Sequence, residues 1–218
     1  MIIRKGKIED MPAVLGLIKE LATFEKEPNA VVVTVADLER DGFGENPFFH
    51  TFIAEENEEI VGMALYYYRY STWKGKTIHL EDLIVKEEKR GSGLGFKLYS
   101  EVIAQGKFDG VRRIEWNVLD WNTPAIEFYE KSGAKVFKDW LVAQMDEKGI
   151  NTFCKKNKII IINDLNKLKK IKFDITISAI SGIAGLLPTL NIIKFSKKIL
   201  IANKESIICG WKFIYKEL

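Results

Sequence analysis

Apolar residues change period several times along this chain, and each change marks a structural element. Ile2 and Ile3 open a short strand over residues 2–5. Met11, Val14, Leu15, Ile18 and Leu21 then recur at helical spacing, with Asp10 placed to cap them. Thr34, with Asp37 three residues on, has the form of a second helix start, and that helix is expected to reach Gly42. Three β-rich runs follow at 50–55, 60–70 and 76–86. The stretches Glu56-Asn-Glu-Glu and Trp73-Lys-Gly between them suit hairpin turns. A Gly-rich loop at 90–95 leads into a helix ending near Gly106. Beyond it, 111–118 reads as a strand, 122–131 as a helix, and 134–145 as strand-like with a break near Trp140. A short helix is predicted around 146–153.

The order of these elements fixes the fold class. Antiparallel hairpins come first, and one strand–helix–strand crossover follows, which requires a parallel pair. The expectation is an α/β protein with a mixed, mostly antiparallel sheet flanked by helices, not a doubly wound one. A short α/β appendage would follow at the C-terminus. No internal repeat or low-complexity segment is apparent.

Composition divides the chain in two. Its 218 residues, 47% hydrophobic and 11% aromatic, suffice for one well-buried domain and a small appendage. Residues 1–157 hold 22 Lys+Arg against 26 Asp+Glu, a net of −4, whereas 158–218 hold 11 Lys, no Arg and four acids, a net of +7. Isoleucine rises from 12 in the first segment to 16 in the shorter second. The break suggests two segments of different origin, a main domain at 1–157 and a non-catalytic fragment at 158–218. Cys154 and Cys209 lack metal-ligand spacing, so no metal is expected, and no signal peptide is legible. A reduced cytoplasmic setting is the default. Residues 175–193 carry no charge and are long enough to span a membrane. Ser, Thr, Gly, Pro188 and Asn191 dilute them, however, and they read better as a strand-to-helix turn. Neither a membrane nor a nucleic acid is expected as a partner.

The chemistry lies in Val85-Lys-Glu-Glu-Lys-Arg90-Gly-Ser-Gly-Leu-Gly95, between a strand and a helix. Glycines let a backbone approach a ligand, and loop N–H groups at a helix N-terminus suit phosphate oxygens, with Arg90 as a possible cationic partner. A ligand-free Gly-rich turn is the plain alternative. A dinucleotide site is a second rival, with Glu115 spaced for a ribose contact, but hairpins occupy the place of the parallel units such a fold requires.

Arg90-Gly-Ser-Gly-Leu-Gly95, after Leu80-Glu-Asp-Leu-Ile-Val85, resembles the pyrophosphate-binding motif of the GNAT family of N-acetyltransferases. Asn122-Thr-Pro-Ala-Ile-Glu-Phe-Tyr129-Glu-Lys-Ser-Gly-Ala134 is similar to that family's second signature. Leu17-Ile-Lys-Glu-Leu-Ala22 and Asp41-Gly-Phe-Gly-Glu-Asn-Pro-Phe-Phe-His50 resemble its diamine (spermidine/spermine) branch and thialysine-using relatives. The resemblance covers roughly residues 1–157. It implies the GNAT fold, acetyl-CoA as cosubstrate and a small-molecule amine acceptor, and a homodimer. Acetyl-CoA would lie between splayed strands at 76–86 and 111–118. Leu83, Ile84 and Val85 would face its pantetheine, and Arg90, Gly91, Ser92, Gly93, Leu94, Gly95 and Phe96 would hold its pyrophosphate. Asn122, Thr123, Pro124 and Ala125 would line the far side. Phe24, Glu25 and Glu81 would meet the amine.

An amine that is mostly protonated must lose a proton before it attacks, and the departing thiolate must gain one. Glu81 is the expected base or ammonium anchor, and the family tyrosine implies Tyr129 as the acid. Each has a plain alternative: Tyr129 as a core aromatic, Glu81 as a structural carboxylate. His79 shares a face with Glu81 by strand alternation and either relays a proton or is simply a satisfied imidazole. Glu25 and Glu27 either attract a polyamine or are ordinary helix-end charges, and Trp116 and Trp121 read as packing. The polyamine enzymes have a longer, acidic loop after the Phe-Tyr helix, whereas here only Asp139 lies between Gly133 and Trp140. A diamine or polyamine is favoured over a thialysine-like amino acid. A protein N-acetyltransferase and a CoA-binding module without turnover are the competing readings.

The tail is similar to a different family. Phe173-Asp-Ile-Thr-Ile-Ser-Ala-Ile-Ser-Gly-Ile-Ala-Gly-Leu-Leu-Pro-Thr-Leu190 and Ala202-Asn-Lys-Glu-Ser206 resemble an internal piece of 1-deoxy-D-xylulose 5-phosphate reductoisomerase. That family's dinucleotide fingerprint and acidic metal ligands do not accompany it, so no activity is carried over to Lys204 or Glu205.

Overall fold

The computed structural model describes residues 1–157, 159 and 172–217, which fall into two compact units, Met1–Phe137 and Lys138–Leu218. The division lies ahead of the compositional break after Asn157.

In the first unit a five-stranded sheet has the order β1-β2-β3-β4-β5, built from β1 (Ile2–Lys5), β2 (His50–Glu56), β3 (Glu59–Ser71), β4 (Gly75–Val85) and β5 (Ile114–Glu115). The first four strands pair antiparallel and β5 pairs parallel to β4, as expected from a helical crossover. Asn57 and Glu58, at φ of 52° and 65°, give the β2–β3 hairpin two consecutive left-handed residues, the twist a tight hairpin favours.

Helices cover both faces. Helices α1 (Met11–Phe24) and α2 (Val35–Phe43) lie on one side, where Met11, Val14, Leu17 and Leu38 pack with Ile53, Met63 and Ile84. Helix α3 (Leu94–Phe108) lies on the other, where Leu94, Leu98, Tyr99 and Val102 meet Phe52, Ala64, Tyr66, Ile78 and Leu80. Full burial of a side chain such as Met63 or Leu98 contributes about 1.5–3 kcal/mol, so these two layers hold the sheet rigid beneath the site. Thr34 caps α2 as expected, accepting from Asp37 N while the Asp37 carboxylate accepts from Thr34 N. Asp10 begins α1 without capping it. Its carboxylate accepts from Arg4 at 2.6 and 2.9 Å and from Lys7 N at 2.7 Å, so it ties β1 to the helix start. Arg4 holds its carboxyl below the usual carboxylate range.

Two expectations are corrected. The strand at 111–118 shrinks to Ile114–Glu115, and no strand forms at 134–145. An extended segment is stable only where its backbone groups are paired, and β5 has no second neighbour among the described residues. Trp140 and Leu141 are accordingly 72% and 94% exposed.

Beyond α4 (Thr123–Lys131), the second unit contains α5 (Glu147–Lys156), then β6 (Thr176–Ser178), α6 (Leu186–Ile193), β7 (Ile199–Ile201) and α7 (Lys204–Glu217), with β6 and β7 parallel. Helix α4 itself belongs to the first unit. Asn203 ties the second unit's loops together. Its amide donates to the carbonyls of Ile180 and Gly182, and its oxygen accepts from Ser206 N at the start of α7. The uncharged stretch at 175–193 is thus divided between a strand, a turn and a short helix. No helix among the described residues is long and apolar enough to cross a membrane.

Candidate active site

The site begins with an irregularity in β4. Tyr66 pairs with Leu80 and Leu65 with Asp82, so Glu81 is the extra residue of a β-bulge. Before the bulge Ile78 and Leu80 face α3, and after it Val85 does so while Ile84 faces α1. The phase of alternation therefore slips by one residue across the bulge. Glu81 and Asp82 come together on the α1 side, where Glu25 follows the last turn of α1. Three carboxylates converge here. Burial, then the charges of Glu81 and Glu25, push Asp82 up to about 7. Burial and Glu81 also raise Glu25. A neutral-pH site with three such groups attracts cations and can exchange a proton. Sequence alone does not single out Asp82. The signal was the adjacent acid pair inside an apolar run, since strict alternation would have sent one of the two carboxylates into a core.

Beside this cluster the sheet forks. The parallel pairing of β4 and β5 consists of Ile78 with Ile114 and His79 with Glu115, and ends there. From Glu81 to Val85 the outer edge of β4 has no strand partner among the described residues, leaving the backbone around Leu83 free to bond an extended ligand. At the end of the fork lies the Gly-rich loop. Gly91 and Gly93 have φ of 76° and 80°, a region that side-chain-bearing residues rarely adopt, and nothing lies within 4 Å of where a Cβ would stand. Gly93 begins the 15-residue α3, so loop and helix dipole offer N–H groups to an anion. Ser92 Oγ donates to Lys89 O at 2.7 Å, closing the loop. Leu94 is buried beneath it, while Phe96 is exposed and meets Phe128 edge-on. Arg90 Nε donates to Val85 O at 3.1 Å, linking loop and strand. Open space, left-handed glycines and a free strand edge fit an extended molecule ending in a pyrophosphate.

On the far side, Asn122 caps α4, its side-chain oxygen accepting from Ala125 N, with Pro124 in the first turn. Tyr129 is 8% exposed, packed against Trp116, Tyr99 and Phe128 with ring centroids 4.8, 5.8 and 5.1 Å away. Burial pushes its phenol up to about 12, which keeps it a proton donor throughout the neutral range. Phe24 and Trp121 meet at 5.6 Å across the rim, with Lys26 Nζ 4.6 Å from the Trp121 ring and the Arg90 guanidinium 5.2 Å from that of Phe24. Among the described residues no cluster of three or more His, Cys, Asp or Glu is arranged to hold a metal.

Comparison with known proteins finds two families, whose matches overlap at 126–134. The family model of the acetyltransferase (GNAT) family matches residues 17–134, and that of 1-deoxy-D-xylulose 5-phosphate reductoisomerase matches 126–210. The chain is 41% identical over 143 residues to the thialysine N-epsilon-acetyltransferase of Sus scrofa, covering 62% of this chain and 84% of that protein. It is 42% identical over 122 residues to the reductoisomerase of Pelagibacter ubique, of which it spans only 26%. An aminoglycoside acetyltransferase from an uncultured soil metagenomic sample, solved with trehalose, shares the fold at a TM-score of 0.57 and 18% identity, covering 66% of this chain and 96% of that one.

Proposed function

This chain belongs to the GNAT family and is an acetyl-CoA-dependent N-acetyltransferase, and we propose that its acceptor is a small primary amine carrying a second cationic group, of the diamine or polyamine kind. The convergence of Glu25, Glu81 and Asp82 beside the fork carries this reading. Burial, then repulsion from Glu81 and Glu25, keeps Asp82 partly protonated, and an ammonium entering the cluster relieves that repulsion. A second ammonium on the same molecule is held by the carboxylates that the reacting nitrogen does not use.

Acetyl-CoA supplies the acetyl group as a thioester. The loop from Arg90 to Phe96 holds the pyrophosphate end, the backbone at Leu83, Ile84 and Val85 aligns the pantetheine arm, and Asn122 to Ala125 close the opposite wall. A primary ammonium with a pKa near 10.4 is neutral in fewer than about one molecule in a thousand at pH 7, so the site must remove a proton. Glu81, half exposed on the bulge, accepts it. Tyr129, protonated and buried, returns a proton to the sulfur. Phe24 covers the amine's aliphatic part.

A second reading, an amino acid with a side-chain amine, is favoured by Lys26. Its ammonium, beside Trp121 and close in sequence to Glu25, can meet an α-carboxylate. A thiol-release assay with acetyl-CoA separates the readings, using spermidine, a short diamine, thialysine and a lysine peptide. Faster release with the diamine and spermidine supports the proposal, and release with thialysine alone transfers it to the second reading. Release with the peptide alone, or binding of acetyl-CoA without release, overturns both.

A further inference from the structure

A row of side chains crosses the sheet at the base of the fork, and none of it is used by the mechanism above. His79 on β4 is 6% exposed and is the partner of Tyr67 on β3 and Glu115 on β5, at the last pairing before the strands part. Its Nδ1 lies 3.1 Å from Arg69 Nη1, and its Nε2 lies 3.4 Å from Glu81 Oε2. A guanidinium only donates. Nδ1 must therefore carry the lone pair, and the ring proton must sit on Nε2, facing Glu81. Arg69 is anchored in turn, with Nη1 2.8 Å from Glu115 Oε1. Arg113 Nε is 2.8 Å from the other oxygen of Glu115, a contact of charge, since that N–H makes no hydrogen bond.

We propose that His79 is a positioning residue for Glu81. Arg69 and Glu115 lock the imidazole as its neutral Nε2–H tautomer, so that it donates to Glu81 and holds that carboxylate turned toward the amine. The proposal rests on the reading of Glu81 as the proton acceptor. The groups facing the ring are Tyr67 and Arg69 from β3, Glu81 along β4, and Glu115 from β5 with Arg113 behind it. The two carboxylates favour an imidazolium, while burial and Arg69 oppose it. Burial is the largest influence, and His79 is held below the ordinary histidine range. A second ring proton would have to point at Arg69. The gap of 3.4 Å is a little long for a hydrogen bond, and a small rotation of the exposed Glu81 side chain closes it.

The chain has two histidines, so His50→Gln leaves one ring to observe. In nitrogen-15 spectra of the full-length His50→Gln protein, His79 should show the Nε2–H tautomer and be neutral at pH 7 and above. Arg69→Met should release the ring into a tautomer mixture and raise its pKa, since the guanidinium opposes the imidazolium. An Nδ1–H tautomer, or an imidazolium at pH 7, overturns the proposal. Kinetics with thialysine and spermidine as acceptors supply the second arm. His79→Leu should lower kcat/KM about tenfold, the scale of one hydrogen bond to a charged group, and move the acid limb of its pH profile upward. His79→Gln, which keeps an N–H donor, should recover most of both. If Glu81→Gln is impaired but His79→Leu matches wild type, only the proposal for His79 fails. If Glu81→Gln itself matches wild type, the reading of Glu81 fails first.

Discussion

Replacing Asp82 with Asn should make the first unit more stable at alkaline pH and leave it unchanged in acid. The folded carboxyl ionises near 7, against 3.8 for an unperturbed aspartate, because it is half-buried beside Glu81 and Glu25. The sign is opposite to that of a salt-bridged acid, because here folding favours the neutral form. Below about pH 4 the side chain is neutral in both states, and Asn and the neutral acid differ little. As pH rises, the unfolded chain ionises first and the folded state loses stability relative to it, until the folded carboxyl also ionises near pH 7. The accumulated cost is up to about 4 kcal/mol, constant above that point. Urea unfolding of wild type and Asp82→Asn at pH 4, 6 and 8.5, read at β4 peptides by pulsed hydrogen exchange, isolates the first unit. The gap between the proteins should open across that window. The same acid gives a binding signature. At pH 7 it is about half protonated, so docking an ammonium should release up to about half a proton. Calorimetry in buffers of different ionisation enthalpy measures that release. A stability gap that does not vary with pH, or a carbon-13 titration placing Asp82 near 4, would refute the burial argument.

Three other predictions follow from the site. Tyr129→Phe keeps the ring packing and removes only the donor, so kcat should fall about 10²-fold or more, and wild-type turnover would make Tyr129 a packing residue. Gly93→Val forces a branched side chain to a φ of 80°, which should weaken acetyl-CoA binding in a folded protein, and unchanged affinity by calorimetry would contradict this. Residues 1–157 alone should retain kcat/KM within a few-fold of the full chain. A truncated protein that is soluble and folded but inactive would show that the second segment completes the enzyme.

Much of this architecture could be read from residues whose partners are near in sequence. The Thr34–Asp37 box, the hairpin at Asn57-Glu58 and the Asn122 cap are set within a few residues. The β2–β3–β4 meander follows from the turns, and the Gly-rich loop from glycines that the left-handed conformation requires. What the sequence obscured depends on distant pairing. The bulge at Glu81 arises from the register of β4 against β3, and it is what brings Asp82 beside Glu81, so the strong perturbation of that carboxyl has no mark in the local sequence. The alternating pattern of 134–145 has the composition of a strand, but a strand also needs a neighbour with free backbone groups. Asp10 stood at a helix start and was drawn instead to Arg4, a charged partner on another element.

The left-handed glycines have a consequence for how ligand affinity is stored. Gly91 and Gly93 already hold the loop open at the head of α3, and Ser92 and Arg90 fasten it to Lys89 and Val85. The entropy of ordering that loop is thus lost when the chain folds and need not be lost again when a pyrophosphate arrives. Conditions that loosen the loop should therefore weaken binding mainly through faster dissociation, with the encounter rate left nearly unchanged.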